Sequence, residues 1–183
     1  MDSKSTIQPA TRSLVEFKVL SSNDLEAFRA IQSEYLDQWS MDFLKEQFTK
    51  FPNLYVGVFV RSKKLVGIAY GSVNEDDSIT LQGIAVKYSL WRKGIGSRLL
   101  SFFEEQVRKT GRHRISLGSG EGFAEQFYLK NGYTPLEIKA KSEDGRVLAT
   151  ERIRDYSDGV IRREHLRQEL KPKEVIFIME KHW

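Results

Sequence analysis

The chain has 183 residues, a net charge of +4 and a sequence pI near 9.2, which is the size of one ordinary domain with room for a sizeable core. It contains no cysteine, which excludes a disulfide framework, a thiolate nucleophile and cysteine-ligated zinc; its histidines, His113, His165 and His182, lack ligand-like spacing, so no metal site is expected. No run of about 18 apolar residues occurs, so no transmembrane helix is expected, and the polar N-terminus without a signal core makes cytoplasmic residence the default.

Residues 1–13 read as a flexible lead-in to one domain spanning 14–183. Residues 14–20 alternate well enough to form a first strand. Asn23 with Glu26 is expected to make a capping box for a helix carrying Leu25, Phe28, Ile31 and Leu36. A second helix starts near Ser40, runs through Phe43, Leu44 and Phe48, and ends before Pro52. Residues 54–60 are apolar throughout, as a strand covered on both faces would be. Residues 65–73 return as the partner of a hairpin. The acidic turn of Glu75, Asp76 and Asp77, read as solvated, leads into residues 79–86, an apolar strand.

Behind that strand comes a short basic turn, Trp91-Arg92-Lys93-Gly94-Ile95-Gly96, and then a helix with Ile95, Leu99, Leu100, Phe103 and Val107 at helical spacing. A strand, a glycine-rich turn and a helix make a ready anion site. The first helical amides have no internal partner, and the dipole places partial positive charge there. Gly94 and Gly96 permit close backbone approach, and Arg92 and Lys93 add charge, so the expected ligand is a phosphate or pyrophosphate. A P-loop would need GxxxxGK[ST], which is absent. A dinucleotide turn would need a third glycine where Leu99 stands. Downstream, residues 114–118 read as a strand parallel to 79–86, joined by a right-handed crossover, with the two splaying where the loop opens. Then Phe123-Ala124-Glu125-Gln126-Phe127-Tyr128-Leu129-Lys130 reads as a short helix ended by Asn131-Gly132.

Arg92 to Ser97 resembles the pyrophosphate loop of the GNAT superfamily of acyl-CoA N-acyltransferases, signature Q/R-x-x-G-x-G/A, although Trp91 stands where that signature has Gln or Arg. FYLKNGY resembles the same family's A-x-x-x-Y-x-K-x-G-F/Y element, and it follows in the family's order and spacing. The resemblance covers residues 14–135, most tightly 79–135. It implies an α/β fold of the α+β type, a mixed central sheet of about seven strands flanked by about four helices. An extra hairpin and helix precede the last strand, residues 174–180. Residues 139–173 are then an insertion near the acceptor site, including a charge-rich helix over 160–170 with an apolar stripe at Val160, Ile161, Leu166 and Leu170.

The implied activity is transfer of an acetyl group from acetyl-CoA to a primary amine. Backbone groups of Ile84, Ala85 and Val86 would pair with the pantetheine arm, and Trp91, Arg92, Lys93, Gly94, Ile95, Gly96 and Ser97 would hold or cover the cofactor's phosphates. Tyr128 matches the family tyrosine near the cofactor sulfur, a general acid for the leaving thiolate. The base is open. Gln82 stands where family members often carry Glu, and Glu121 is a candidate, with helix capping and water-mediated deprotonation as rivals. The alternative function is a non-catalytic acyl-CoA sensor of the same fold. The basic clusters over 108–114 and 152–167 read as solvated surface, so no nucleic-acid or membrane partner is expected. A polyamine, an aminoglycoside, an amino acid, a protein N-terminus or a lysine all remain open as acceptor, and the last strand and added arm are compatible with a homodimer.

Overall fold

Both faces of the apolar strands need cover, and the helices divide between the two. The computed structural model describes residues 15–61 and 63–183; the lead-in expected at 1–13 and Leu14 lie outside the described residues. The strands are β1 (Val15–Val19), β2 (Tyr55–Val60), β3 (Lys64–Val73), β4 (Ile79–Val86), β5 (Arg114–Ser119), β6 (Thr134–Lys141), β7 (Val147–Arg152) and β8 (Glu174–His182). They form one sheet in the order β1-β2-β3-β4-β5-β8-β6-β7, antiparallel except for β4 beside β5. With helices α1 (Leu25–Tyr35), α2 (Met41–Lys50), α3 (Ile95–Lys109), α4 (Phe123–Lys130) and α5 (Tyr156–Leu170), the described residues hold eight strands and five helices, one more of each than expected.

On one face Phe28, Ile31, Leu44 and Phe48 of α1 and α2 pack on Tyr55, Ile68 and Tyr70. On the other, Leu99, Leu100, Phe103 and Val107 of α3, Tyr128 of α4 and Leu166 of α5 share a core with Val58, Leu81, Ile115 and Phe177. α2 starts beside Ser40 as expected, and the Ser40 hydroxyl caps it, accepting from the Phe43 N–H at 3.2 Å. The entry to α1 differs. Its box is Ser21 with Asp24, whose carboxylate accepts from the Ser21 N–H at 2.8 Å, because a 3-10 turn over Ser22–Asp24 precedes the helix.

Helix α5 corrects the expected stripe. It starts four residues before Val160, capped by Asp155, whose carboxylate accepts from the Asp158 N–H at 2.9 Å. Val160, Ile161 and Leu170 are exposed, and the buried face is Asp158, Gly159, Arg163 and Leu166. Apolarity lost to charge here because Glu125 neutralises Arg163 inside the fold. Gly159 sits against the sheet: a Cβ there would lie 2.3 Å from Phe177 Cε1 and 2.8 Å from Ile153 Cδ1. Gly159→Ala gains helix propensity of about 1 kcal/mol. The buried Phe177 ring cannot yield, and overpacking of this kind costs about 1–3 kcal/mol. A net loss of stability is therefore expected in urea unfolding; an unchanged or raised midpoint would place α5 farther from β8.

Candidate active site

β4 and β5 pair only through Ile79 with Ile115 and Thr80 with Ser116, and then separate. Their near end is clamped. Arg112 pairs with Asp77 at 2.8 Å and Arg114 pairs with Asp76, so these turn acids are structural. The separation has a cause inside β4. Tyr70 pairs with Gly83 and Gly71 with Leu81, which leaves Gln82 as an extra residue on β4. Such a bulge bends its strand and raises the local twist, turning β4 away from its parallel neighbour. Gln82 is exposed and donates to the Ser72 hydroxyl at 3.0 Å.

The edge of β4 that faces the opening follows from the ladder. The Lys87 N–H donates to the Val66 carbonyl at 2.8 Å, and antiparallel alternation then turns the peptide groups of Ala85 toward β3. Those of Ile84 and Val86 turn the other way, into the opening. Of the three strand residues expected at the site, Ile84 and Val86 therefore present backbone there, and Ala85 does not.

The loop beyond β4 curls before α3. Arg92 and Gly94 are both left-handed, with φ of 59° and 73°. Left-handed residues alternating with right-handed ones, or set in a turn as here, bring successive amides to one side, the arrangement of anion-binding nests. The first bond inside the helix runs from the Arg98 N–H to the Gly94 carbonyl at 3.2 Å, so the amides of Ile95, Gly96 and Ser97 are the unpaired first turn. Arg92 and Lys93 are exposed, and Lys93 Nζ braces the loop on the Ser89 carbonyl at 3.1 Å. α3 meets α4 at Gly96, where a Cβ would be 3.4 Å from Phe127 Cε2, an ordinary contact distance.

That contact brings the loop beside the helix carrying Tyr128. Tyr128 is 8% exposed, and burial alone pushes its hydroxyl above the usual phenol value. Glu121, the candidate base, is taken by arginines of α5. It pairs with Arg167 and lies 3.8 Å from Arg163. Glu125 is fully buried, accepting from Arg163 and from the Tyr156 hydroxyl at 2.6 Å. It stands one turn before Tyr128, so α5 braces the helix of the expected acid.

Two residues at the opening escaped the sequence. Phe123 opens the short helix read from the sequence, and it is 69% exposed and stacks on Trp91 with centroids 5.8 Å apart and planes at 3°. Tyr88 is also exposed and lies 5.0 Å from Trp91. The Trp91 indole N–H donates to the Val86 carbonyl at 2.6 Å. Gly122, the N-cap directly before Phe123, has φ 75° and ψ −119°, a conformation that favours glycine.

Residues 25–133 match the Acetyltransferase (GNAT) family. By sequence, no curated protein matches. Among solved structures the chain is similar to Ard1 from Thermoplasma volcanium, with a TM-score of 0.67 and 15% identity over 92% of this chain and 97% of that one. The ribosomal-protein-S18-alanine N-acetyltransferase of Escherichia coli is similar at a TM-score of 0.60 and 20% identity, over 92% and 93%. So is yncA from Salmonella typhimurium, solved with its cofactor acetyl-CoA, at 0.63 and 13%, over 93% and 94%. Identities this low show a shared fold. Among the described residues, no helix is long and apolar enough to cross a membrane, and no cluster of ligating side chains suits a metal ion.

Proposed function

The chain belongs to the acetyltransferase (GNAT) family, and from that premise we propose that it is an N-acetyltransferase moving an acetyl group from acetyl-CoA to a primary amine. The observation that supports this best is the joint geometry of three parts. A strand edge turns into the β4–β5 opening, a left-handed loop precedes the unpaired amides of α3, and Tyr128 lies on the helix packed against that loop. Open space around Gly94 and the free first turn of α3 suit a pyrophosphate.

Acetyl-CoA supplies the acyl group as a thioester, open to direct attack by the amine. The amides of Ile95, Gly96 and Ser97, with the charges of Arg92 and Lys93, hold its phosphates. Ile84 and Val86 bind the pantetheine arm as an added strand, and the Val86 N–H offers a donor to the thioester oxygen. Tyr128 gives its hydroxyl proton to the departing sulfur, and burial keeps that proton in place until it is needed.

For the amine's proton the reading favours water over Glu121, because Arg163 and Arg167 occupy the carboxylate. Glu121→Gln is therefore expected to leave turnover far above the roughly hundredfold loss that removing a general base causes. A loss of that size would return the base role to Glu121. The acceptor is proposed as a small-molecule or peptide amine. Residues 139–173 wall its approach, since α5 reaches Glu125 one turn from Tyr128. The same reading keeps the protein in the cytoplasm, with the β7 edge available to a homodimer.

The rival, an acyl-CoA sensor without turnover, is favoured by one feature: neither Gln82 nor Glu121 is a free carboxylate. Calorimetry with acetyl-CoA, desulfo-CoA and NAD, followed by an amine screen for thiol release, separates the two. Binding with release supports the enzyme. Binding without release by any amine supports the sensor, and no binding of acetyl-CoA overturns both.

A further inference from the structure

We propose that Trp91 is a placeholder in the cofactor site: its indole holds the strand position on Val86 that the pantetheine arm takes, and the two exchange when acyl-CoA binds. This rests on the acetyl-CoA reading above. The indole N–H donates to the Val86 carbonyl at 2.6 Å, a short and well-formed bond. That carbonyl belongs to the edge of β4 turned into the opening, away from β3. A pantetheine amide laid along this edge as an added strand donates to the same acceptor. The ring of Trp91 occupies the space through which that amide approaches, so the two donors compete for one place.

The ring also spans the opening. Trp91 follows β4, while Phe123 begins the helix that follows β5, and the two stack nearly parallel at 3°. Tyr88 lies against Trp91 at 5.0 Å. The three rings are 44%, 69% and 73% exposed for Trp91, Phe123 and Tyr88, so they contribute little to the core and much to the mouth of the site.

The test uses the full-length protein with Trp91→Phe, which keeps a ring for the stack and removes the N–H. Calorimetry follows acetyl-CoA and, separately, adenosine 3′,5′-bisphosphate, the nucleotide half without the pantetheine arm. Acetyl-CoA is expected to bind about fivefold more tightly to the variant, the fold-change of one ordinary hydrogen bond. The bisphosphate is expected to bind both proteins alike. In the unsubstituted protein, acetyl-CoA shifts the indole fluorescence, and the variant loses that shift. The other tryptophans are held elsewhere: Trp39 packs on Tyr70 at 5.2 Å, and the Trp183 N–H donates to the Arg112 carbonyl at 3.2 Å. Equal or weaker acetyl-CoA binding by the variant, with the unsubstituted protein binding normally, overturns the exchange and leaves the acetyl-CoA reading standing. A parallel change for the bisphosphate also overturns it, by placing Trp91 on the nucleotide. If neither protein binds acetyl-CoA, the acetyl-CoA reading itself fails.

Discussion

Tyr128→Phe lowers turnover by about a hundredfold or more, the loss expected when a positioned general acid is removed, while acetyl-CoA affinity stays nearly unchanged. The split follows from where the hydroxyl sits. The ring is part of the main core, with Phe127 and Tyr133 edge-on to it at 5.2 and 5.6 Å, and Phe fills the same volume. Only the oxygen is lost, so stability and the phosphate cradle are spared. Burial raises the Tyr128 pKa in the folded chain, so the hydroxyl stays protonated across the neutral range and its ionisation adds no inflection to the rate there. The linkage has one sign. Below the ordinary tyrosine pKa both folded and unfolded states keep the proton and Tyr128 adds nothing to the pH dependence of stability. Above it the unfolded chain ionises first, and stability falls as pH rises. Turnover unchanged in Tyr128→Phe, measured by thiol release under saturating substrates, would remove the hydroxyl from the chemistry.

Gly94→Glu abolishes acetyl-CoA binding without unfolding the chain. A Cβ at Gly94 meets nothing within 4 Å, so the side chain is not refused by packing. The backbone there is left-handed at φ 73°, which costs a non-glycine residue about 1–2 kcal/mol. A carboxylate at a helix N-terminus returns part of that, about 0.3–1 kcal/mol, by satisfying the amides and the dipole. It does so by taking the place proposed for the phosphate, with the same sign of charge. Gly94→Ala is the control: it carries the same backbone strain without the charge, and binding is expected to weaken but survive. Calorimetry on both, beside thermal unfolding, decides the matter. Undiminished binding by Gly94→Glu would mean that the loop of residues 92–97 is not the phosphate site.

Local chemistry alone determined the start of α2 at Ser40, the strands of residues 54–60, 65–73 and 79–86, and the glycine-rich turn before α3. Each follows from neighbours a few residues apart, and the hydrophobic period survives in any fold. The order and spacing of the two motifs were likewise readable, and with them the family. The tertiary structure decided the rest. The bulge at Gln82 exists only because β3 and β4 pair in one register, and it is this bulge that opens β4 from β5. Whether a peptide group faces the opening depends on which neighbour the ladder engages, so Ala85 could not be told from Ile84 and Val86 in advance. Glu121 stood between a base and a helix cap in the sequence until the fold laid Arg163 and Arg167 beside it from 42 and 46 residues away. Arg163 broke the apolar stripe read for α5 for the same reason: a charge is buried only where a distant partner neutralises it, and Glu125 belongs to another helix. Phe123 is an ordinary aromatic in the sequence, and Trp91 stands out there only by its place in the basic turn. They meet across the opening because two diverging strands carry them there.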